Sequence, residues 1–166
     1  MKELWDKLDI KNKVALLTLL FLIIDQISKI VLDRILVLNK TYIICDKFIY
    51  ITKAYNTGVA WSMLAGKPLV IIFMTIAIFV FLLYYMQKFK NNKRNVLAFS
   101  LVFGGLLGNL IDRFLYGHVI DFIDIMIFNY DYPIFNIADS SVFVGVLLLI
   151  WSIYLGEDNE NSSRRK

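Results

Sequence analysis

The chain has 166 residues, of which 58% are hydrophobic and 19% are charged, and its formal net charge is +4. Soluble domains are about half apolar and about a quarter charged, so this composition indicates a membrane protein. One cysteine, Cys45, and one histidine, His118, exclude an intramolecular disulfide and argue against a cysteine- or histidine-based metal site. The modest positive charge lies at the ends of apolar segments, which disfavours nucleic-acid binding. We expect no metal or other cofactor.

Four apolar segments are long enough to cross a bilayer as helices, because about 20 residues span roughly 30 Å of hydrocarbon. We place these helices at residues 14–32, 68–86, 96–115 and 137–155. The first segment is too long for a cleavable signal peptide. The predicted fold class is an all-α membrane protein with a single domain that occupies residues 1–166. Residues 157–166 are polar, and we expect them to form a disordered cytoplasmic tail.

Lysine and arginine are distributed unevenly between the two ends of the predicted bundle. The first side holds Lys2, Lys7, Lys11, Lys13, Lys88, Lys90, Lys93, Arg94, Arg164, Arg165 and Lys166. The other side holds Arg34, Lys40, Lys47, Lys53 and Lys67. Because cytoplasmic segments carry the excess of basic residues, we predict that both termini are cytoplasmic and that two loops face outward.

The outer loops show features of ordered structure. In residues 41–52, aromatic and β-branched residues alternate, as in the run from Phe48 to Thr52, and this pattern is typical of strands at a surface. Aromatic residues near the predicted helix ends fit a belt at the membrane interface. These residues are Trp61, Tyr116, Tyr130 and Tyr132.

The first predicted helix contains charged residues that a lipid-facing helix avoids. Each charge inside a bilayer costs roughly 2.5–3.5 kcal/mol on insertion scales. Asp25 and Lys29 are four residues apart and therefore share one helix face. Two interpretations remain open: a structural ion pair that orients the helix, or direct contact with a substrate.

The third predicted helix combines small and polar residues. Ser100, Gly104 and Gly108 are spaced four residues apart and form a small-residue stripe that permits close approach of another helix. Asn109, Asp112 and Arg113 form a polar stripe near its outer end. The stripe serves either to hold helices together or to form a polar wall that positions other groups.

Asp121 and Asp139 lie on either side of the second outer loop, and the topology allows them to meet at the outer interface. Asp139 is also suited to be a helix N-cap, and Asp121 to be a solvated loop acid. If the two carboxylates approach each other, they share a proton, so that one activates a water and the other polarises a carbonyl. Asp124 and Asp131 compete for the same role on spacing alone.

Five blocks of the sequence, in order, resemble the lipoprotein signal peptidases, or signal peptidase II, of bacterial cytoplasmic membranes. The blocks are DQISK at 25–29, NTGVAW at 56–61, GNLIDR at 108–113, VIDF at 119–122 and FNIADS at 135–140. The similarity runs from about residue 20 to about residue 150. Ile120 stands where a second valine is common and Val59 where alanine is frequent, and neither departure puts catalysis in doubt.

The resemblance implies a membrane aspartyl endopeptidase that removes the signal peptide from diacylglyceryl-modified prolipoproteins, just before the lipidated cysteine. Asp121 and Asp139 match the catalytic pair, and Asp112 matches a structural position. The positions that bind substrate or support the active site are Asp25, Lys29, Asn56, Asn109, Arg113, Asn136 and Ala138. The family fold has four transmembrane helices, a small extracytoplasmic sheet and a surface helix. A monomer that contacts membrane lipids and is inhibited by globomycin is also expected.

A different class of function also fits intramembrane charge. Asp25, Lys29 and Asp112 could act as a relay in a small proton-coupled transporter or channel subunit. Against this interpretation, the acids concentrate at one surface, and no inverted repeat or pair of broken helices is apparent. A non-catalytic membrane scaffold is a third interpretation.

Overall fold

The computed structural model describes residues 5, 7–59, 61, 63–128 and 130–158. Four helices in this part of the chain are long and apolar enough to cross a membrane. They are α1 (Ile10–Ile35), α2 (Pro68–Met86), α3 (Lys93–Tyr116) and α4 (Ile137–Tyr154). An antiparallel sheet in the order β1-β2-β3-β4 lies beyond one end of the bundle. Its strands are β1 (Thr41–Cys45), β2 (Ile49–Asn56), β3 (Val119–Ile127) and β4 (Tyr130–Asp131).

These elements confirm the predicted fold class of four membrane-spanning helices with a small sheet. Between β2 and α2, the described residues of 57–67 form mainly bends and turns rather than a regular surface helix. Most of the tail predicted at 157–166 lies outside the described residues, which end at Asp158.

Helix α3 is the centre of the bundle, and glycine makes this position possible. It is the most buried of the four helices, whereas α2 is apolar on all sides and largely exposed to the membrane. A β-carbon at Gly104 would contact Phe21 of α1, and one at Gly105 would collide with Ala138 of α4. The glycines therefore bring two helices against α3 at backbone distance.

The two ends of the bundle differ in structure. We call the end opposite the sheet the terminal end, which comprises the described residues of 5–13, 87–94 and 155–158. Here Glu157 pairs with Arg94 and accepts a hydrogen bond from Asn92 at 2.7 Å, which holds the end of α4 against the start of α3. The sheet end holds the polar residues that the sequence singled out.

A short connection positions β3 relative to α3. Gly117 ends α3 in the left-handed conformation, with a φ of 75°, and β3 begins at Val119. Strand β3 then pairs with β2, with Ala54 opposite Asp121. Since side chains alternate along a strand, Asp121 and Asp124 point to opposite faces of the sheet. The competing acid Asp124 therefore lies on the face of β3 that points away from Asp121.

Candidate active site

Asp121 and Asp139 approach each other through Asn136, which immediately precedes α4. The Asn136 side chain donates a hydrogen bond from Nδ2 to Asp121 Oδ1 at 2.7 Å. Its backbone N–H donates to Asp139 Oδ2 at 3.2 Å. Asp121 is buried, and Asp139 is partly buried beside it. The structure thus brings together the two carboxylates on which the sequence analysis focused.

Asp139 occupies the first turn of α4, but it does not cap the helix. The N-cap is Asn136, whose Oδ1 accepts a hydrogen bond from the Asp139 backbone N–H at 2.9 Å. The Asp139 side chain in turn accepts a hydrogen bond from the backbone N–H of Asn136, which completes a capping box. The interpretation of Asp139 as an N-cap is therefore wrong, because Asn136, three positions earlier, has that role.

Each of the four oxygens of this carboxylate pair accepts a hydrogen bond. Asn109 Nδ2 donates to Asp139 Oδ1 at 2.7 Å, and Asn56 Nδ2 donates to Asp121 Oδ2 at 3.0 Å. With the two contacts from Asn136, the pair lies within a fixed set of amide donors. Such donors favour the ionised form of a carboxylate and hold it in one orientation. Asp121 is therefore not a solvated loop acid.

A buried ion-pair cluster fixes the orientation of Asn109. Lys29 Nζ lies 2.9 Å from Asp25 Oδ2 and 2.8 Å from Asp112 Oδ2, and each of these three side chains is only 1% exposed. Lys29 also donates to Asn109 Oδ1 at 2.9 Å. The ammonium group of Lys29 is therefore surrounded by three oxygen atoms of the protein. Of the two interpretations of Asp25 and Lys29, the geometry agrees with the structural ion pair. Lys29 also turns the amide nitrogen of Asn109 towards Asp139.

The same cluster holds the start of α4 through Asp25. Asp25 Oδ1 accepts a hydrogen bond from the Ala138 backbone N–H at 2.9 Å. Ala138 is fully buried, and its backbone carbonyl lies so close to Gly105 that no β-carbon fits at Gly105. Gln26 adds a contact that the sequence analysis missed, with Nε2 donating to Asp112 Oδ1 at 2.9 Å. Gln26 is a polar residue next to Asp25 in a largely apolar helix, and this feature of the sequence could have indicated the contact.

Arg113 connects the polar stripe of α3 with the segment that follows β2. Its guanidinium group donates to the Gly58 carbonyl at 2.8 Å and to the Asn109 carbonyl at 3.2 Å. The Gly58 backbone N–H in turn donates to Asn56 Oδ1 at 2.9 Å, which directs the Asn56 amide nitrogen towards Asp121. Asn109 and Arg113 therefore belong to a polar wall that positions other groups, whereas Asp112 holds α3 against α1 through Gln26 and Lys29.

A cavity of about 860 Å³ opens beside the carboxylate pair. Its polar wall is formed by Asn56, Asn109, Arg113, Asp121 and Asp139, and the rest of its lining is mainly apolar. Two apolar lining residues, Phe143 and Val146, are also exposed on the membrane-facing surface of α4. The cavity therefore extends from the carboxylates to the lipid-facing side of the bundle.

The environment of Asp121 changes its acidity. Burial, and then repulsion from the Asp139 carboxylate, raise the pKa of Asp121 to about 7. The hydrogen bonds from Asn56 and Asn136 act in the opposite direction but do not offset burial. A carboxyl group with a pKa near neutrality can hold a proton and release it at physiological pH.

The competing acids lie away from this pair. The Asp124 carboxylate accepts a hydrogen bond from Thr52 Oγ1 at 2.6 Å on the opposite face of the sheet, and Asp131 is exposed in β4. The hydroxyl of Ser140, a possible nucleophile, donates to the Asn136 carbonyl at 2.9 Å. Within the described residues, no group of three His, Cys, Asp or Glu side chains could hold a metal ion.

Comparisons with known proteins place this chain in a family. The model of the family described as "Signal peptidase (SPase) II" matches residues 17–155. The lipoprotein signal peptidase of Staphylococcus carnosus (strain TM300) is 43% identical over 81% of this chain and 85% of its own length. The lipoprotein signal peptidase of Staphylococcus aureus (strain JH9) is 40% identical over 91% and 92% of the two chains.

Solved structures show the same similarity in three dimensions. A bacterial membrane enzyme solved by the in meso method at 2.3 Å superimposes with a TM-score of 0.78 at 37% identity, over 93% of this chain and 92% of that one. A second bacterial membrane enzyme structure gives a TM-score of 0.75 at 39% identity, over 86% and 92%. The fold, the extent of the family match and the identity to its members agree, and this chain is therefore a multi-pass membrane protein that belongs to the signal peptidase II family of peptidases.

Proposed function

We propose that the protein is an aspartyl endopeptidase that removes the signal peptide from diacylglyceryl-modified prolipoproteins. Asp121 and Asp139 are its catalytic residues. One observation carries the proposal: two carboxylates, joined through Asn136, lie at the wall of an apolar cavity that reaches the lipid-facing surface. The name lipoprotein signal peptidase, which the relatives carry, supports the substrate class.

The two aspartates have different roles in this mechanism. Asp121, whose pKa is raised to about 7, holds the proton and donates a hydrogen bond to the carbonyl oxygen of the scissile peptide. Asp139 is ionised and takes a proton from the attacking water, whose oxygen forms the new bond to the carbonyl carbon. When the tetrahedral intermediate collapses, the C–N bond breaks and Asp139 returns that proton to the leaving amine. Water is the nucleophile, and no metal takes part.

The remaining polar residues position this pair. Asn56, Asn109 and Asn136 hold the carboxylate oxygens in place, and Arg113 fixes the segment that carries Asn56. Asp25 and Lys29 support the start of α4 and the Asn109 amide, Ala138 allows close packing, and Asp112 has a structural role as the second anion beside Lys29. The relay interpretation of Asp25, Lys29 and Asp112 has no support, because the three groups pair with one another in a closed cluster.

The apolar lining of the cavity suits a substrate whose acyl chains stay in the membrane. Cleavage falls just before the lipidated cysteine, where the chain passes from the bilayer to the interface. Both termini are cytoplasmic, since the terminal end carries the excess of basic residues, and the carboxylate pair faces the extracytoplasmic side. The enzyme acts as a monomer, takes no cofactor and is inhibited by globomycin.

The experiment for this proposal compares two substrates that differ only in their lipid. Purified protein in detergent is mixed with a diacylglyceryl-modified prolipoprotein and, separately, with its unlipidated precursor. We expect release of the signal peptide from the lipidated form alone, and we expect globomycin to block that release. Equal cleavage of both precursors would overturn the lipid requirement, and no cleavage of either would overturn the proposed substrate class.

A further inference from the structure

A second cavity of about 820 Å³ lies between α1 and α2 in the half of the bundle near the terminal end. Both helices pack against α3, but they make little contact with each other, so a groove remains between them. Phe103 and Leu107 of α3 form its floor, whereas Gly105 and Asn109 face the catalytic cavity. The groove is therefore a separate feature of the fold.

The length of the groove matches one membrane leaflet. Along α1 it extends from Lys11 to Leu22, which corresponds to roughly 16 Å of helix. Half of a hydrocarbon core is about 15 Å thick. The walls are apolar, with Leu19 on α1 and Val80 and Leu83 on α2. A groove of this depth accommodates acyl chains from one leaflet and is too short to hold another transmembrane helix along its length.

The polar lining residues concentrate at the terminal end, and the opening there is basic. Lys11 is exposed and forms no ion pair with any residue that the structure describes. Lys88 follows the lining residue Gln87, and its Nζ lies 5.2 Å from the ring centre of Tyr84, another lining residue. The nearest acid in sequence, Asp9, caps α1 and accepts a hydrogen bond from the Asn12 backbone N–H at 2.8 Å. Because the two lysines outnumber this one acid, the opening attracts an anion.

We propose that this groove binds one anionic phospholipid from the leaflet at the terminal end. Its acyl chains occupy the apolar groove, and its phosphate lies between Lys11 and Lys88. A basic residue near an anionic membrane surface contributes about 1 kcal/mol to such binding, so two of them select anionic over zwitterionic headgroups. This site is distinct from the one that receives the lipidated substrate, which opens at the other end of the bundle.

The test is a lipid titration of the full-length protein in detergent. Phosphatidylglycerol is added in steps, with phosphatidylcholine as the zwitterionic comparison, and bound lipid is counted by native mass spectrometry. We expect one phosphatidylglycerol to bind with saturation and phosphatidylcholine to bind roughly 30-fold more weakly, the ratio that corresponds to two basic residues. Lys11→Glu, which reverses the charge at the opening, and Ala15→Phe, which fills the groove, each weaken phosphatidylglycerol binding by roughly tenfold.

Two matched controls separate the groove from general lipid contact. Lys93→Glu reverses an exposed charge at the same end, outside the lining, and Leu16→Phe adds bulk on α1 beside the groove. Both should bind phosphatidylglycerol as the wild type does, and all four variants should keep peptidase activity, which shows that they fold. Equal binding of the two lipids, unchanged binding by Lys11→Glu and Ala15→Phe, or a dimer that excludes lipid from the groove would overturn the proposal.

Discussion

At the scale of single residues, the site depends on the orientation of the asparagine side-chain amides that donate to the two carboxylates. An asparagine can direct either its oxygen or its nitrogen towards a neighbour, and only the nitrogen can donate to a carboxylate. For Asn109 the choice is made by Lys29, which occupies the amide oxygen. For Asn136 it is made by the backbone N–H of Asp139. The first contact joins α1 to α3 and the second lies in the cap of α4, so the fold itself orients both donors before a substrate binds.

Loss of Lys29 tests this arrangement. Lys29→Met leaves Asp25 and Asp112 as buried carboxylates without their cation, and removing one partner of a buried ion pair costs about 3–5 kcal/mol. We expect a large fall in the melting temperature in detergent and loss of cleavage. The triple variant with Asp25→Asn and Asp112→Asn should recover part of the stability, because it removes the unpaired charges. If Lys29→Met alone were as stable as the wild type, the ion-pair cluster would not be needed for stability.

The pH dependence of cleavage tests the state of Asp121. Its raised pKa means that Asp121 is protonated below about pH 7 and ionised above it. Since the mechanism needs this proton, kcat/KM should fall as the pH rises above about 7, by tenfold per unit at the limit. Asn56→Ala removes a hydrogen bond that lowers this pKa, so the falling limb should move to higher pH. An activity that is constant from pH 6 to about pH 9 would contradict the assignment.

At the scale of helices and strands, length and hydropathy predict the spans, and local contacts decide where they begin. Pro68 starts α2 where the sequence predicts it. Helix α1 begins at Ile10 rather than near residue 14, because Asp9 caps it by accepting a hydrogen bond from the Asn12 N–H. The polar residues that precede the apolar segment belong to the helix here. A prediction based only on a run of apolar residues does not include them.

Strand β3 was the element that the sequence analysis did not recognise. Its residues, VIDFIDIMI, do not alternate between apolar and polar, because its first four residues are buried on both faces of the sheet. Motif resemblance nevertheless predicted Asp121 and the other polar residues of the site. It could not predict the contacts between them, since Lys29 and Asn109 are 80 residues apart and meet only after α1 packs on α3.

Close packing of α3 against α4 gives a prediction at the scale of helix pairs. Gly105→Ala places a methyl group against the Ala138 carbonyl and the side chain of Val142, so α4 must move. We expect a lower melting temperature and a strong loss of activity, because Asp139 is carried by the first turn of α4. Leu115→Ala, at a membrane-exposed position of α3, is the control and should change neither property much. Wild-type activity in Gly105→Ala would show that the site tolerates displacement of α4.

For the molecule as a whole, the uneven distribution of charge predicts an orientation that the single cysteine can report. Cys45 is exposed in β1 at the sheet end. If this end faces outward, a membrane-impermeant maleimide should label Cys45 in intact cells. The control is Cys45→Ser combined with Lys88→Cys at the terminal end, which should react only after the membrane is permeabilised. Labelling of Cys45 only in permeabilised cells would reverse the proposed orientation.

The proposed function depends most on the joint action of Asp121 and Asp139 in cleaving the substrate. The direct measurement is the rate of signal-peptide release from a diacylglyceryl-modified prolipoprotein, followed by mass spectrometry. Asp121→Asn and Asp139→Asn should each lower this rate by at least roughly 100- to 10,000-fold while the protein remains folded. Asp124→Asn, on the opposite face of β3, should keep most of the activity. Near-normal turnover in either dyad variant, or an equal loss in Asp124→Asn, would contradict the account.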